Sequence, residues 1–174
     1  MTLETHIWIW LTGCGATLCM DGWALLQKKA LGIPSLNYAL VGRWVLWMPR
    51  GIIVHRPITA SAAMKGETVT GWMLHYLIGI GLAYLPALMA GRAWLTNPSP
   101  GIALLTGLCS IAAPFLIMQP ALGFGIAASK TPRPTKARAL SLLAHLIFGA
   151  GLYLAAQIVS WSFAALHAGE FRLT

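Results

Sequence analysis

Residues 101–118 read GIALLTGLCSIAAPFLIM, an unbroken apolar stretch without a charged side chain. A helix of this length measures about 27 Å, close to the roughly 30 Å hydrocarbon core of a bilayer. Three further long apolar stretches occur at residues 7–26, 71–90 and 139–165. The sequence therefore predicts an all-α polytopic integral membrane protein with four transmembrane helices in a bundle.

The composition argues against an ordinary soluble domain. The chain of 174 residues is 57% hydrophobic and only 9% charged, whereas a soluble domain carries about a quarter charged residues. Twelve Lys and Arg against four Asp and Glu give a formal charge of +8, which in a soluble protein favours a nucleic-acid partner. In this apolar chain membrane topology explains the charges better, so we expect a lipid bilayer and no nucleic acid as partner.

The basic residues are concentrated on one side of the predicted membrane. The segments that join the first span to the second and the third to the fourth contain Lys28, Lys29, Arg43, Arg50, Arg56, Lys65, Lys130, Arg133, Lys136 and Arg138. The opposite surface carries only Arg92 and Arg172. Because positively charged loops stay in the cytoplasm, the pattern predicts that both termini lie outside.

Short motifs occur in the same order in the two halves of the chain. LTG at residues 11–13, PSLNYAL at 34–40, PR at 49–50 and HYLIGIGL at 75–82 are followed by LTG at 105–107, PALGFGI at 120–126, PR at 132–133 and HLIFGAGL at 145–152. This order predicts a duplicated unit. We expect one membrane domain over residues 1–174, built from two parallel-repeat helix hairpins at about residues 7–92 and 101–168.

The two basic segments are predicted to contain interfacial structure. Ser35 is expected to cap a short helix that ends at Trp47, and residues 121–129 are expected to lie on the interface or dip back among the helices. The candidate contacts for anionic head groups are Arg43, Arg50, Lys130 and Arg133. The alternative, that these charges only set the topology, stays open.

Three ionisable side chains fall at a similar depth in three of the predicted spans. Asp21 precedes the end of its span by five residues, and His75 and His145 follow the starts of theirs by four and six. At 1.5 Å per residue, all three lie roughly 6–9 Å from the cytoplasmic interface. Gln119 lies closer to the same interface. Because ionisable residues are expensive in lipid, we predict a functional cluster of Asp21, His75, His145 and Gln119.

Small residues accompany this cluster. Gly13 and Thr17 share a helix face with Asp21, and glycines follow both histidines at helical spacing. Small residues allow a neighbouring helix or a ligand to approach closely. We expect this role for Gly13, Thr17, Gly79, Gly81, Gly149 and Gly151.

The cluster is compatible with three roles. It can fix helix register by hydrogen bonds, act in a small-molecule or ion binding or transport-type module, or ligate haem or a divalent metal. The second role, without a cofactor, is the leading expectation, and the alternative is a membrane redox protein that uses His75 and His145 as metal ligands. No catalytic motif of the P-loop, GxSxG or HExxH type occurs, so no catalytic residue is assigned and an enzyme is not favoured. A homodimer stays open.

The remaining candidates carry less information. His6, His55 and His167 lie near predicted interfaces or in loops, where we expect solvated side chains. Pro86 and Pro114 lie inside spans and are expected to kink their helices. The cysteines, Cys14, Cys19 and Cys109, lack the spacing of a disulfide framework or a zinc site.

Several longer motifs carry a family resemblance. They are DGWALL at residues 21–26, GIPSLNYALVGRW at 32–44, MPRG at 48–51, HYLIGIG at 75–81 and APFLIMQPALGFGIAASKTPRP at 113–134. With them the sequence resembles, over nearly the whole chain, a bacterial family of integral membrane proteins, the domain of unknown function 2938. The resemblance implies a compact four-helix protein of the bacterial inner membrane. The side on which both termini are predicted to lie is then the periplasm. It implies no activity, cofactor or site residue.

Overall fold

The computed structural model describes residues 1–170, with side chains up to residue 165. This part of the chain is helical and contains no strand. Four of its helical segments are long and apolar enough to cross a membrane: Leu3–Leu31, Glu67–Ala90, Pro100–Ala121 and Pro134–Ala165. The predicted all-α architecture with four spans is confirmed, and the spans extend up to five residues beyond the apolar stretches read from the sequence. The side chain of His167 and all of Arg172 lie outside the described part.

The helices are numbered along the chain. They are α1 (Leu3–Leu31), α2 (Tyr38–Trp47), α3 (Glu67–Leu82), α4 (Tyr84–Ala90), α5 (Ala93–Thr96), α6 (Pro100–Ser110), α7 (Gln119–Ala121) and α8 (Pro134–Glu170). A π-helical stretch, Ala113–Met118, joins α6 to α7. Helix α8 packs against both α1 and α6, α1 also packs against α3, and α4 contacts α6. The bundle is therefore closed at the α4 end.

Two prolines interrupt the second and third spans. Helix α3 ends at Leu82, four residues before Pro86, and α6 ends at Ser110, four residues before Pro114. A proline has no N–H for the carbonyl four residues earlier, and its ring collides with that carbonyl. The helix is thus broken near each of the two prolines that were expected to kink it. At the second, the chain continues with the wider i to i+5 spacing, and the Gln119 N–H donates to the carbonyl of Pro114.

The outer surface of the spans is apolar. In the most apolar stretch of each, only 22% to 33% of the residues are buried against the rest of the protein. Large side chains such as Leu18, Leu77 and Ile158 point away from the bundle. A soluble helix pair would bury such a surface, whereas a lipid environment solvates it.

Glycines set the closest helix contacts within each half of the chain. A Cβ atom on Gly13 would lie 2.6 Å from the Cα of Ile80 on α3. On Gly107 of α6, a Cβ atom would meet the carbonyl of His145 and would lie 2.8 Å from the Cα of Gly149. The LTG motif of each half thus crosses the His-x-x-x-Gly helix of the same half. The duplication itself stays a prediction.

The expectation of close approach does not extend to every glycine. A Cβ atom on Gly79 would collide with the Thr17 hydroxyl, and one on Gly151 would lie 3.0 Å from the Cα of Ala16. A Cβ atom on Gly81 would meet nothing within 4 Å. Gly81 therefore faces away from the bundle, and its predicted packing role is wrong.

Helix α2 and the segments around it cover the end of the bundle that carries most of the basic residues, called the basic end below. The α2 cap is Asn37, whose side-chain oxygen accepts from the Ala39 N–H, so the predicted cap at Ser35 is wrong. A Cβ atom on Gly42 would collide with the carbonyl of Glu67, which shows how closely α2 lies on α3.

The second basic segment is folded into the protein. The N–H of His55 donates to the carbonyl of Ala121 at 2.8 Å, and that of Ile58 donates to the carbonyl of Leu122 at 3.0 Å. Leu122 and Ala128 are buried. The segments that join the spans in the two halves therefore pack against each other at the basic end.

Two neighbouring glycines of α3 provide a matched test of this packing. We expect Gly79→Ala to destabilise the protein by about 1–3 kcal/mol, because Thr17 is buried and its hydroxyl is held by the carbonyl of Gly13 at 2.8 Å. Gly81→Ala is expected to be neutral or to stabilise α3 by about 0.5–1 kcal/mol. Thermal unfolding of the three proteins in one detergent measures the difference, and equal midpoints for the two variants would contradict the packing described here.

Candidate functional site

A cavity of about 400 Å³ lies inside the basic end of the bundle, beneath α2. All four spans contribute to its wall, and its polar side chains include Thr17, His75, Ser110, Gln119 and His145. The rest of the lining is mostly apolar, and it contains no Asp, Glu, Lys or Arg among the described residues. The cavity is therefore an uncharged chamber with a few polar groups.

One wall of the cavity is supported by the Asp21 carboxylate. The Oδ1 atom lies 3.0 Å from Nε2 of His75, and Oδ2 accepts from the Tyr76 hydroxyl at 3.1 Å. The Tyr38 hydroxyl donates to Oδ1 at 3.4 Å, and the Tyr38 ring stacks on the imidazole of His75 with 4.1 Å between centroids. Burial raises the pKa of the Tyr38 phenol, and the Asp21 carboxylate raises it further, so Tyr38 keeps the proton it donates.

The opposite wall carries His145 in a different arrangement. Its Nδ1 atom lies 2.6 Å from Oγ of Ser110, and that hydroxyl donates its one proton to the carbonyl of Gly107 at 2.6 Å. With the Ser110 proton assigned to the carbonyl of Gly107, Ser110 accepts the hydrogen bond from Nδ1–H of His145. In the neutral imidazole Nε2 then holds a lone pair, so His145 offers the cavity a hydrogen-bond acceptor.

The structure divides the four predicted cluster residues into two groups. Asp21 contacts His75 directly and lies behind it, outside the lining of the cavity. His145 is hydrogen-bonded to Ser110 and lines the same cavity as His75 and Gln119. The sequence predicted a similar depth for these residues. It did not predict that Asp21 would contact His75, or that His75, His145 and Gln119 would line one cavity.

Gln119 adds an acceptor without a partner. The side chain is 8% exposed, and its Oε1 atom is buried with no hydrogen bond to any described residue. A buried carbonyl oxygen of this kind normally finds a partner. Gln119 and neutral His145 therefore each have an acceptor atom without a partner among the described residues.

Sequence reasoning missed three residues of this site. Ser110 is a small residue inside the most apolar span, and Tyr38 and Tyr76 were not singled out. The spacing of Gly107 and Ser110 places both on one helix face, which was a usable signal. The hydrogen bond from Tyr38 to Asp21 joins two helices, and no local sequence pattern predicts it.

The metal-binding alternative depends on the ring nitrogens that remain. No group of three or more His, Cys, Asp or Glu side chains close enough to hold a metal ion occurs among the described side chains, residues 1–165. Nε2 of His75 is occupied by Asp21 and Nδ1 of His145 by Ser110. A haem iron between them would have to use the other nitrogen of each ring, and this role stays a prediction.

The candidate head-group contacts differ in their surroundings. The guanidinium of Arg43 donates two hydrogen bonds to the Glu67 carboxylate, from Nε and Nη2, each at 2.8 Å. Its Nη1 donates to the carbonyl of Ser61 at 3.0 Å. Arg43 therefore joins α2 to α3 and is not free for a lipid, which corrects the expectation. Arg50, Lys130 and Arg133 are exposed, and their role stays a prediction.

His55 is buried and not solvated as expected. It is 4% exposed, and its Nδ1 atom lies 2.7 Å from Oγ of Ser61. Burial lowers the pKa of the His55 imidazole, and the Arg43 guanidinium lowers it further. The reason is the packing of its segment against Ala121, which the sequence did not reveal. His6 is also engaged, with Nδ1 2.8 Å from the Tyr84 hydroxyl.

Comparison with known proteins identifies a family. Residues 10–159 match a family described as Protein of unknown function (DUF2938). No curated protein and no solved structure matches the chain.

The proton count at Ser110 predicts the tautomer of His145. We expect neutral His145 to carry its proton on Nδ1 and His75 to carry one on Nε2, because their partners there accept. Nitrogen NMR of protein with ¹⁵N-labelled histidine distinguishes the tautomers, and single-histidine substitutions assign the signals. Ser110→Ala should remove the preference at His145 and leave His75 unchanged. A proton on Nε2 of His145 in the unsubstituted protein would contradict this hydrogen-bond assignment.

Proposed function

Since the chain belongs to the family described as Protein of unknown function (DUF2938), we propose its function from its own geometry. It is an integral membrane protein that binds a small molecule between its four spans, as a binding or transport-type module. The cavity at the basic end is the binding site. His75, His145 and Gln119 are its polar contacts, and Asp21 positions His75.

The observation that carries this proposal is the cavity of about 400 Å³ to which all four spans contribute. Sites for small molecules occupy about 300–1,000 Å³, with a mostly apolar lining and a few polar groups. Polar contacts that only fixed helix register would need no such space. The proposal requires no cofactor, because the polar side chains of the wall can hold a small molecule by hydrogen bonds.

The orientation follows from the charges. We place the basic end in the cytoplasm and both termini in the periplasm of a bacterial inner membrane, since positively charged loops remain in the cytoplasm. The binding cavity then lies near the cytoplasmic face. The exposed side chains of Arg50, Lys130 and Arg133 lie at that face, where they are available for anionic lipid head groups.

A duplicated hairpin unit is part of the proposal. Its support is the equivalent position of each histidine, one turn before the glycine at the helix crossing. Each histidine also contacts a polar side chain of the LTG helix in its own half, Asp21 for His75 and Ser110 for His145. The single cavity lies between the two units.

Access of a small molecule to the cavity can be measured with a thiol at Ser141, which lines it. In a background with Cys14, Cys19 and Cys109 changed to Ala, we expect Ser141→Cys to react with N-ethylmaleimide at least about tenfold faster than Leu154→Cys. Leu154 is exposed on the apolar outer surface, where lipid suppresses the reactive thiolate.

A larger side chain in the cavity provides the control. Ala144 also lines the cavity, and the substitution Ala144→Phe should slow the reaction of Ser141→Cys about tenfold. Leu154→Phe should leave the reaction unchanged. Equal reaction rates with and without the Ala144→Phe substitution would show that a small molecule does not occupy this space, and the proposed function would then be wrong.

Reporter fusions test the orientation. Green fluorescent protein fused after Lys65 should fluoresce, because this residue lies in the basic segment between the first two spans. The same protein fused after Thr174 should be dark, and alkaline phosphatase at that site should be active. The opposite pattern would place the basic end outside.

A further inference from the structure

We propose that the ligand of the cavity is a neutral, lipid-soluble molecule with a hydroxyl head group. This inference rests on the proposed function and names the class of molecule that the site takes. Three features of the cavity carry it: the absence of charge in its described lining, its opening at the apolar surface, and the hydrogen-bond acceptors among its polar atoms.

The lining selects an uncharged molecule. It contains no Asp, Glu, Lys or Arg in the described part of the chain. The nearby carboxylate of Asp21 lies behind His75 and is already bound by His75, Tyr76 and Tyr38. A charged ligand would lose its hydration without gaining a carboxylate, ammonium or guanidinium partner in the lining, which is strongly unfavourable.

The cavity opens towards the surface that lipid covers. Ile78 of α3 and Ile117 of the π-helical stretch both line it and are 51% and 63% exposed. Leu36, before α2, also lines it and is 47% exposed. These apolar side chains border a lateral opening between the second and third spans. A molecule dissolved in the bilayer can enter there and leave an apolar tail in the opening.

Two acceptor atoms of the wall favour a ligand that donates a hydrogen bond. Ser110 holds the proton of neutral His145 on Nδ1, so Nε2 accepts, and Oε1 of Gln119 is buried without a partner among the described residues. Ethers and ketones only accept and leave both atoms unpaired, whereas a hydroxyl donates. A hydroxyl also accepts, so it pairs with the Gln119 amide in either orientation.

Two photoactivatable probes of equal length test this proposal. One is a sixteen-carbon alcohol with a diazirine in the chain, and the other is its methyl ether. The protein in phosphatidylcholine nanodiscs is irradiated with each probe, and the labelled peptides of the cavity wall are quantified by mass spectrometry. We expect the alcohol to label these peptides about five- to tenfold more than the ether, the effect of one hydrogen bond of about 1 kcal/mol or more.

Small substitutions report on the hydroxyl contact without filling the cavity. Gln119→Leu should lower the alcohol-to-ether ratio, because one acceptor is lost. Ser110→Ala should lower the ratio by raising ether labelling, because Nε2 of His145 is then free to carry the proton and donate. Leu154→Phe on the outer surface should leave the ratio unchanged.

The results distinguish failure of the proposed ligand class from failure of the proposed binding function. Equal labelling of the cavity wall by alcohol and ether, both removed by Ala144→Phe, would overturn the hydroxyl class and leave a binding cavity. A different pair of results would overturn the binding function itself. Neither probe would label the wall more than it labels the Ala144→Phe variant, and Ala144→Phe would not change the thiol reaction at Ser141→Cys.

Discussion

Close backbone contact between helices is the constraint on which the rest of this protein depends. In a bilayer the hydrophobic effect does not hold helices together, since lipid is as apolar as leucine, and packing and hydrogen bonds must do so. The contacts of α1 with α3 at Gly13 and of α6 with α8 at Gly107 leave no room for a Cβ atom. Each brings a histidine within reach of a polar side chain on the facing helix.

The cavity is a consequence of how these contacts are distributed. The helices are closest at their glycines, and α4 and α6 close the opposite end of the bundle. At the basic end, Pro114 ends α6 and the π-helical stretch follows. Gln119 thereby becomes part of the cavity wall, while α2, held on α3 by Arg43 and Glu67, covers it.

The sequence predicts the four spans, an irregularity at each of the two prolines and the depth of the polar residues, because these depend on local composition and helical spacing. It does not predict which polar groups touch. The contact of Asp21 with Tyr38 joins two helices through the fold of the intervening turn, and burial of His55 depends on a segment more than sixty residues away. The tautomer of His145 can be assigned only from the hydrogen-bond partners of Ser110. No sequence pattern predicts these partners.

The two histidines of the cavity face partners of different chemistry. His75 is backed by a carboxylate and His145 by a hydroxyl, although both occupy the same place relative to their helix crossings. A pair of identical half-sites would accept an elongated molecule in either direction. With unlike partners the chamber has two different sides at one depth, so an elongated occupant of the proposed site that reaches both histidines would take a single direction in the plane of the membrane.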